Sequence, residues 1–272
     1  MFQGQVAWIT GATSGIGHAC ALELAERGAH VAVSGRRRDR LEEVVRAIEE
    51  RGVRALALPC DVCHEKEQRL AVRELVSVFG RLDVAIANAG FSVGGLIENL
   101  TADDWRRQLE TNVVGAAITA RCAVPELAKT RGRLGLVGSV SAFFSAPGYG
   151  AYHCSKHALR ALGLTLSMEL AELGVSCTTV HPGFIETEIQ KVDRHGRYDA
   201  AREDRRPHWL MWPSDRAARV IVDAIARRRR EVVFTGHGRV AAFLGMHAPR
   251  LVDAVMSLPA IRRQADGFTI DR

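Results

Sequence analysis

The chain has 272 residues, 47% of them apolar and 25% charged, with a formal net charge of +6. That balance suits a globular protein with a sizeable core and excludes disordered and fibrous classes. No uncharged run reaches the ~18 residues of a membrane span, the opening MFQGQVAWIT lacks a basic-then-apolar signal, and the six cysteines are scattered, so a reduced, cytoplasmic protein is expected.

The first predicted strand, Val6–Thr10, runs into Thr10-Gly11-Ala12-Thr13-Ser14-Gly15-Ile16-Gly17 and a helical period over His18–Arg27. Glycines there let the backbone turn tightly and approach a pyrophosphate, while the helix start offers free N–H groups and partial positive charge. A second strand, His30–Ser34, precedes Arg36-Arg37-Arg38 and a helix over Leu41–Arg51. A third, Arg54–Leu58, leads to Asp61-Val62 and a helix over Glu65–Phe79. Val84–Ala87 is followed by Asn88-Ala89-Gly90 and one long helix, Ala102–Lys129, which contains Asn112. Leu134–Gly138 leads to Ser139, a helix over Tyr152–Leu173 follows, and Ser176–Val180 leads to His181-Pro182-Gly183. A helix over Asp215–Arg227 and a last strand, Val232–Thr235, complete the series, with Gly28, Gly52, Gly80 and Gly174 where helix C-caps belong. Strict alternation of strand and helix predicts an α/β, single-domain, doubly wound Rossmann-type sheet of seven parallel strands, with ligands at the strands' carboxyl ends.

Tyr152 and Lys156 stand four residues apart near a helix start, which puts phenol and ammonium on one face. A nearby cation favours phenolate, so such a pair is a tunable proton donor and acceptor.

Thr10–Gly17, Asn88-Ala89-Gly90, Asn112, Ser139, Tyr152-x-x-x-Lys156 and His181-Pro182-Gly183, in this order and at these spacings, resemble the short-chain dehydrogenase/reductase superfamily over about residues 5–236. The resemblance implies that Ser139 holds the substrate oxygen, Tyr152 exchanges its proton, Lys156 binds the nicotinamide ribose and lowers the tyrosine pKa, and Asn112 positions a water. Ser141 competes with Ser139, but the family's interval to the tyrosine favours Ser139. It further implies that Gly11, Thr13, Ser14, Gly15, Ile16 and Gly17 cradle the pyrophosphate. Asp61 and Val62 then edge the adenine, Asn88, Ala89 and Gly90 lie by the adenosine ribose, and Pro182, Gly183, Ile185 and Thr187 lie by the carboxamide.

NAD-specific relatives end strand two with an acidic residue; here Gly35 stands there, followed by Arg36. A guanidinium suits a 2′-phosphate, so Arg36, with Arg37 in support, points to NADP(H). The reading is an NADP(H)-dependent oxidoreductase acting on a carbonyl or secondary alcohol. An NAD-linked alcohol dehydrogenase and a non-catalytic dinucleotide-sensing scaffold are the alternatives. Cys60-Asp61-Val62-Cys63-His64 matches a haem-attachment pattern but falls at a strand end, and the histidines show no paired ligand spacing, so no haem or metal is expected. Arg227 to Arg230 close a helix, where cations complement the dipole, and no aromatic-interleaved basic stripe calls for nucleic acid.

The segment Gln190–Trp212 is expected to cover the substrate with Arg194, His195, Arg202, Arg205, Arg206, Tyr198, Trp209, Met211 and Trp212, against an apolar wall of Phe143, Phe144, Phe91 and Val93. Residues 1–236 form the catalytic domain and 237–272 a helical extension of it. In that extension Val240, Phe243, Leu244 and His247, then Leu251, Val255 and Leu258 beyond Pro249, repeat at helical spacing. Two amphipathic helices are implied, their apolar faces covering the body, meeting a second subunit, or lying on an anionic membrane surface beside Arg239, Arg250, Arg262 and Arg263. A homo-oligomer is expected, a dimer rather than a tetramer, through the Ala102–Lys129 and Tyr152–Leu173 helices.

Overall fold

The computed structural model describes residues 1–202, 204 and 206–259, so Arg205, Arg262 and Arg263 lie outside the described residues. In β1 (Val6–Thr10) every residue is buried, Ala7 and Ile9 toward one helical layer and Val6 and Trp8 toward the other. Strands covered on both faces read as continuous apolar runs, as these do. The indole N–H of Trp8 needs a polar partner there, and it donates to Ser34 Oγ at 2.8 Å.

Around β1 the sheet adds β2 (His30–Gly35) and β3 (Ala55–Pro59) on one side and β4 (Val84–Ala87), β5 (Arg133–Val137), β6 (Ser176–His181) and β7 (Glu231–Val233) on the other. All pairs are parallel and the order is β3-β2-β1-β4-β5-β6-β7. Strand order reverses between β1 and β4, which opens a crevice at their carboxyl ends. Helices α1 (Gly15–Glu26), α2 (Arg38–Glu49) and α7 (Ser214–Ala226) cover one face through Leu24, Leu41 and Ile221. The other face carries α3 (Glu65–Phe79), α5 (Gly115–Thr130) and α6 (Gly150–Glu169) through Leu75, Leu127 and Leu159.

The long helix expected over Ala102–Lys129 is instead two helices. A Thr101–Asp104 capping box starts α4 (Ala102–Leu109), a π-helical turn occupies Glu110–Val114, and α5 follows. The turn carries Asn112, whose buried amide is held by three hydrogen bonds to groups outside it. That tether accounts for one residue too many in the turn, a distortion that periodicity does not reveal.

The two expected tail helices form, as α8 (Gly236–His247) and α9 (Pro249–Met256), but α8 docks by a different face. Gly238 and Ala242 are buried, and a Cβ on Gly245 would collide with the Phe143 carbonyl, so small residues make the contact. Val240 and Phe243 are each 59% exposed, and Met246, Leu251, Val255 and Leu258 are exposed beside them. No helix among the described residues is long and apolar enough to cross a membrane.

Candidate active site

At the crevice, β1 ends in the glycine turn and α1 begins at Ser14, whose side chain makes no capping hydrogen bond. The first amides of α1 are thus left for an anion. Asn88 fixes the turn from the end of β4, its Nδ2 donating to the Thr10 and Gly11 carbonyls at 3.0 Å each. Gly17 packs so closely behind that a Cβ would collide with Asn88 Nδ2 and the Gly11 carbonyl. At the end of β3, Asp61 accepts from the Cys63 N–H at 3.0 Å, and Val62 is buried.

The two arginines after β2 divide their contacts. Arg37 reaches the glycine turn, donating to Thr13 Oγ1 at 2.8 Å and Ser14 Oγ at 3.2 Å, and lies 3.4 Å from Glu188 Oε2. Arg36, the one favoured from sequence, donates instead to the Gly196 carbonyl at 2.8 Å. Both line the cleft.

Ser139 follows β5 and caps the short 3₁₀ turn Val140–Ala142, its Oγ accepting the Ser141 N–H at 3.1 Å. The Ser139 side chain faces the Tyr152 phenol in the cleft and acts to lower its pKa. Of the two competing serines, Ser139 therefore meets the phenol, while Ser141 holds the His153 ring through its carbonyl at 3.0 Å.

Burial pushes the Tyr152 phenol above its ordinary pKa, opposed by the Ser139 hydrogen bond and the Arg206 charge. The sequence assigned that opposition to Lys156. In the structure the Lys156 ammonium donates to the Val137 carbonyl at 3.0 Å, lies 5.7 Å from the Tyr152 ring centroid, and is itself lowered to about 8 by burial. Asn112 stands behind the wall: it accepts the Phe91 N–H at 3.1 Å and donates to the Phe91 carbonyl and Ser155 Oγ at 3.0 Å each. It thereby joins the loop after β4 to the helix that carries Tyr152.

One cleft of about 1350 Å³ gathers the glycine turn, both arginines, Asp61, Val62, Asn88, Ala89, Gly90, Ser139, Tyr152, Lys156, Pro182, Gly183, Ile185 and Thr187. Gly17 and Asn112 support its wall without lining it. Such an arrangement can cradle a dinucleotide phosphate at one end and give a proton to an oxygen at the other.

Residues 5–197 match the family model of the short chain dehydrogenases. The chain belongs to the short-chain dehydrogenase family. It is 33% identical over 190 residues to dehydrogenase/reductase SDR family member 4 of Homo sapiens, covering 69% of this chain and 68% of that one. A Burkholderia phymatum short chain dehydrogenase/reductase in complex with NAD superposes with a TM-score of 0.81 at 25% identity, covering 89% of this chain and 93% of that one. A Burkholderia cenocepacia J2315 short chain dehydrogenase in complex with NADP gives 0.75 at 27% identity, over 88% and 99%. The family is one of oxidoreductases that use a nicotinamide dinucleotide, and the fold here is theirs.

Within this short-chain dehydrogenase the covering segment departs from expectation. His195, Tyr198, Arg206 and Leu210 line the cleft, but Trp209 is 83% exposed. Of the expected apolar wall, Phe91 and Phe144 line it, whereas Phe143 and Val93 are buried elsewhere. Two contributors act in ways the sequence did not show. Arg206 pairs with Asp204 at 2.6 Å and donates to the Ile185 and Thr187 carbonyls at 2.9 and 3.1 Å, which fixes the loop after β6. His237 of α8 accepts the Phe184 N–H at 3.0 Å on Nε2. Neither carries a motif; only the polarity of the segment hinted at Arg206.

Proposed function

We propose that this chain is an NADP(H)-dependent oxidoreductase that interconverts a carbonyl and a secondary alcohol. The observation that carries the reading is the convergence of Ser139, Tyr152 and buried Lys156 on one cleft at the carboxyl end of β5. The uncapped start of α1 and the Gly17–Asn88 contact fit a dinucleotide pyrophosphate lying on the glycine turn. When bound, NADP(H) supplies or takes the hydride. Tyr152 gives its proton to the substrate oxygen as the carbonyl is reduced, and Ser139 donates a hydrogen bond to the same oxygen. The phenolate left behind is stabilised by the Arg206 charge. Lys156 binds the nicotinamide ribose, and Asn112 holds α6 in place from behind.

The choice of NADP(H) rests on Gly35 standing where a carboxylate would select NAD, and on Arg36 and Arg37 lining the cleft beside it. Phe91, Phe144, Leu210, Ala241 and Met256 line the cleft, which favours a partly apolar substrate. We read residues 1–236 as the catalytic domain of a cytoplasmic enzyme and 237–272 as its extension. Exposed Met168 and Leu173 at the end of α6 suit a dimer contact, and the exposed face of α8 and α9 suits a second subunit or an anionic membrane surface. The test is a panel of ketones, aldehydes and alcohols assayed with NADPH, NADH and their oxidised forms. Turnover with a marked NADPH preference is expected; equal efficiency with both cofactors removes the NADP(H) assignment, and no turnover with any removes the reaction.

A further inference from the structure

Behind the cleft, His181 at the end of β6 is fully buried, and both ring nitrogens face acceptors. Nδ1 lies 3.0 Å from the Ser139 carbonyl oxygen and Nε2 lies 3.0 Å from Glu231 Oε1. A carbonyl only accepts. Glu231 is an ionised carboxylate, because hydrogen bonds from His181 and then Arg160 outweigh burial and push its pKa down to about 2. Arg160 reaches it from α6 with Nε at 2.7 Å and a terminal nitrogen at 3.2 Å. A neutral imidazole has one N–H and can serve one of two such acceptors. The ring bridges the Ser139 backbone and the Glu231 carboxylate through its two nitrogens.

The ring is also held mechanically. Phe143 meets it edge-on at 4.8 Å, the Arg160 guanidinium lies 4.5 Å over Phe143, and a Cβ on Gly138 would approach His181 Nδ1 at 2.6 Å. The sheet does not need these charges: β6 pairs with β5 through its backbone from Arg133 to Val137, and a buried ion pair adds little stability over apolar packing. What the network does reach is the backbone of Ser139, whose hydroxyl meets Tyr152.

We propose that His181 is the positioning residue that ties the Ser139 backbone to the Arg160–Glu231 pair. The inference rests on Ser139 acting as proposed above. Its test is NMR of the full chain labelled with ¹³C-carbonyl serine, together with steady-state kinetics. His181→Leu is expected to lower kcat by roughly 10- to 100-fold while the KM for NADPH stays within about two-fold, as a displaced donor rather than a lost cofactor contact requires. Should His181→Leu fail to fold, His181→Gln, with one amide for two acceptors, must show the same split and a displaced Ser139 carbonyl resonance. An undisplaced Ser139 carbonyl resonance, or unchanged kcat, in a folded variant overturns the proposal. If the wild-type chain turns over no carbonyl compound, the reaction assignment falls separately, while the Ser139 resonance still judges the tie.

Discussion

The carboxyl edge of β1, β4 and β5 and the segment from Phe184 to Trp212 line the same cleft by opposite means. At the sheet edge, buried or part-buried side chains make the contacts: Asn88 on the glycine turn, Ser139 beside Tyr152, Lys156 on the Val137 carbonyl. Across the cleft, long guanidiniums reach carbonyls: Arg206 holds Ile185 and Thr187, Arg107 reaches Arg194, and Arg36 reaches Gly196. The first kind of contact is set when the sheet forms and leaves little to adjust. The second is made of exposed or part-buried contacts between long side chains and loop carbonyls, so that side can be re-specified without refolding the core.

The comparison predicts that the reaction is broken most severely from the sheet side. Tyr152→Phe removes only the transferable proton, so turnover is expected to fall by roughly 10²- to 10⁴-fold while NADPH still binds, as fluorescence titration would report. Retained turnover would move the chemistry away from the sheet edge. On the other side the effect falls on cofactor choice. Arg37→Ala is expected to erode NADPH preference over NADH by roughly 10- to 150-fold, the worth of one charge-assisted contact. Arg36→Ala, which loses a lid carbonyl, is expected to erode it less; the reverse order would place the 2′-phosphate on the lid side of the cleft.

Lys156 sharpens the contrast through pH. Burial holds it near 8 against an ordinary 10.5, so between these values the unfolded chain binds more protons and folding stability rises with pH. Relative to Lys156→Met, the wild-type chain is expected to gain about 2–3 kcal/mol in urea unfolding between pH 7 and pH 10.5. Parallel curves would mean the ammonium is solvated. The smallest effect belongs to the tail: Gly245→Val forces α8 off Phe143 and is expected to lower Tm by roughly 2–4 °C. Sedimentation with anionic vesicles, set beside sedimentation equilibrium of the chain alone, then tells whether lipid or a second subunit covers Val240 and Phe243.

The sheet edge was legible in the sequence because each of its contacts follows a strand end by a fixed short interval: the glycine turn after β1, Asn88 after β4, Ser139 after β5. The opposite wall was not, since a guanidinium with several rotatable bonds can reach many carbonyls, and only the fold decides that Arg37, not Arg36, meets Thr13. The α8 face was misjudged for a related reason. Helical spacing ranks positions by apolar bulk, whereas the contact with Phe143 demands the absence of bulk, at Gly238, Ala242 and Gly245.

The π-helical turn at Glu110–Val114 carries information in chain length rather than in residue type. Deleting one residue there would close the turn into an ordinary α-helical one and rotate α4 by roughly 100° against α5. Asn112 would leave Phe91 and Ser155, although with Val113 as the residue deleted every amino acid that touches the cleft would still be present. The shortened chain would be a more regular helix and a poorer support for α6. Single-residue deletion therefore probes this part of the molecule where side-chain replacement does not, and it sets conformational regularity directly against the alignment of the site.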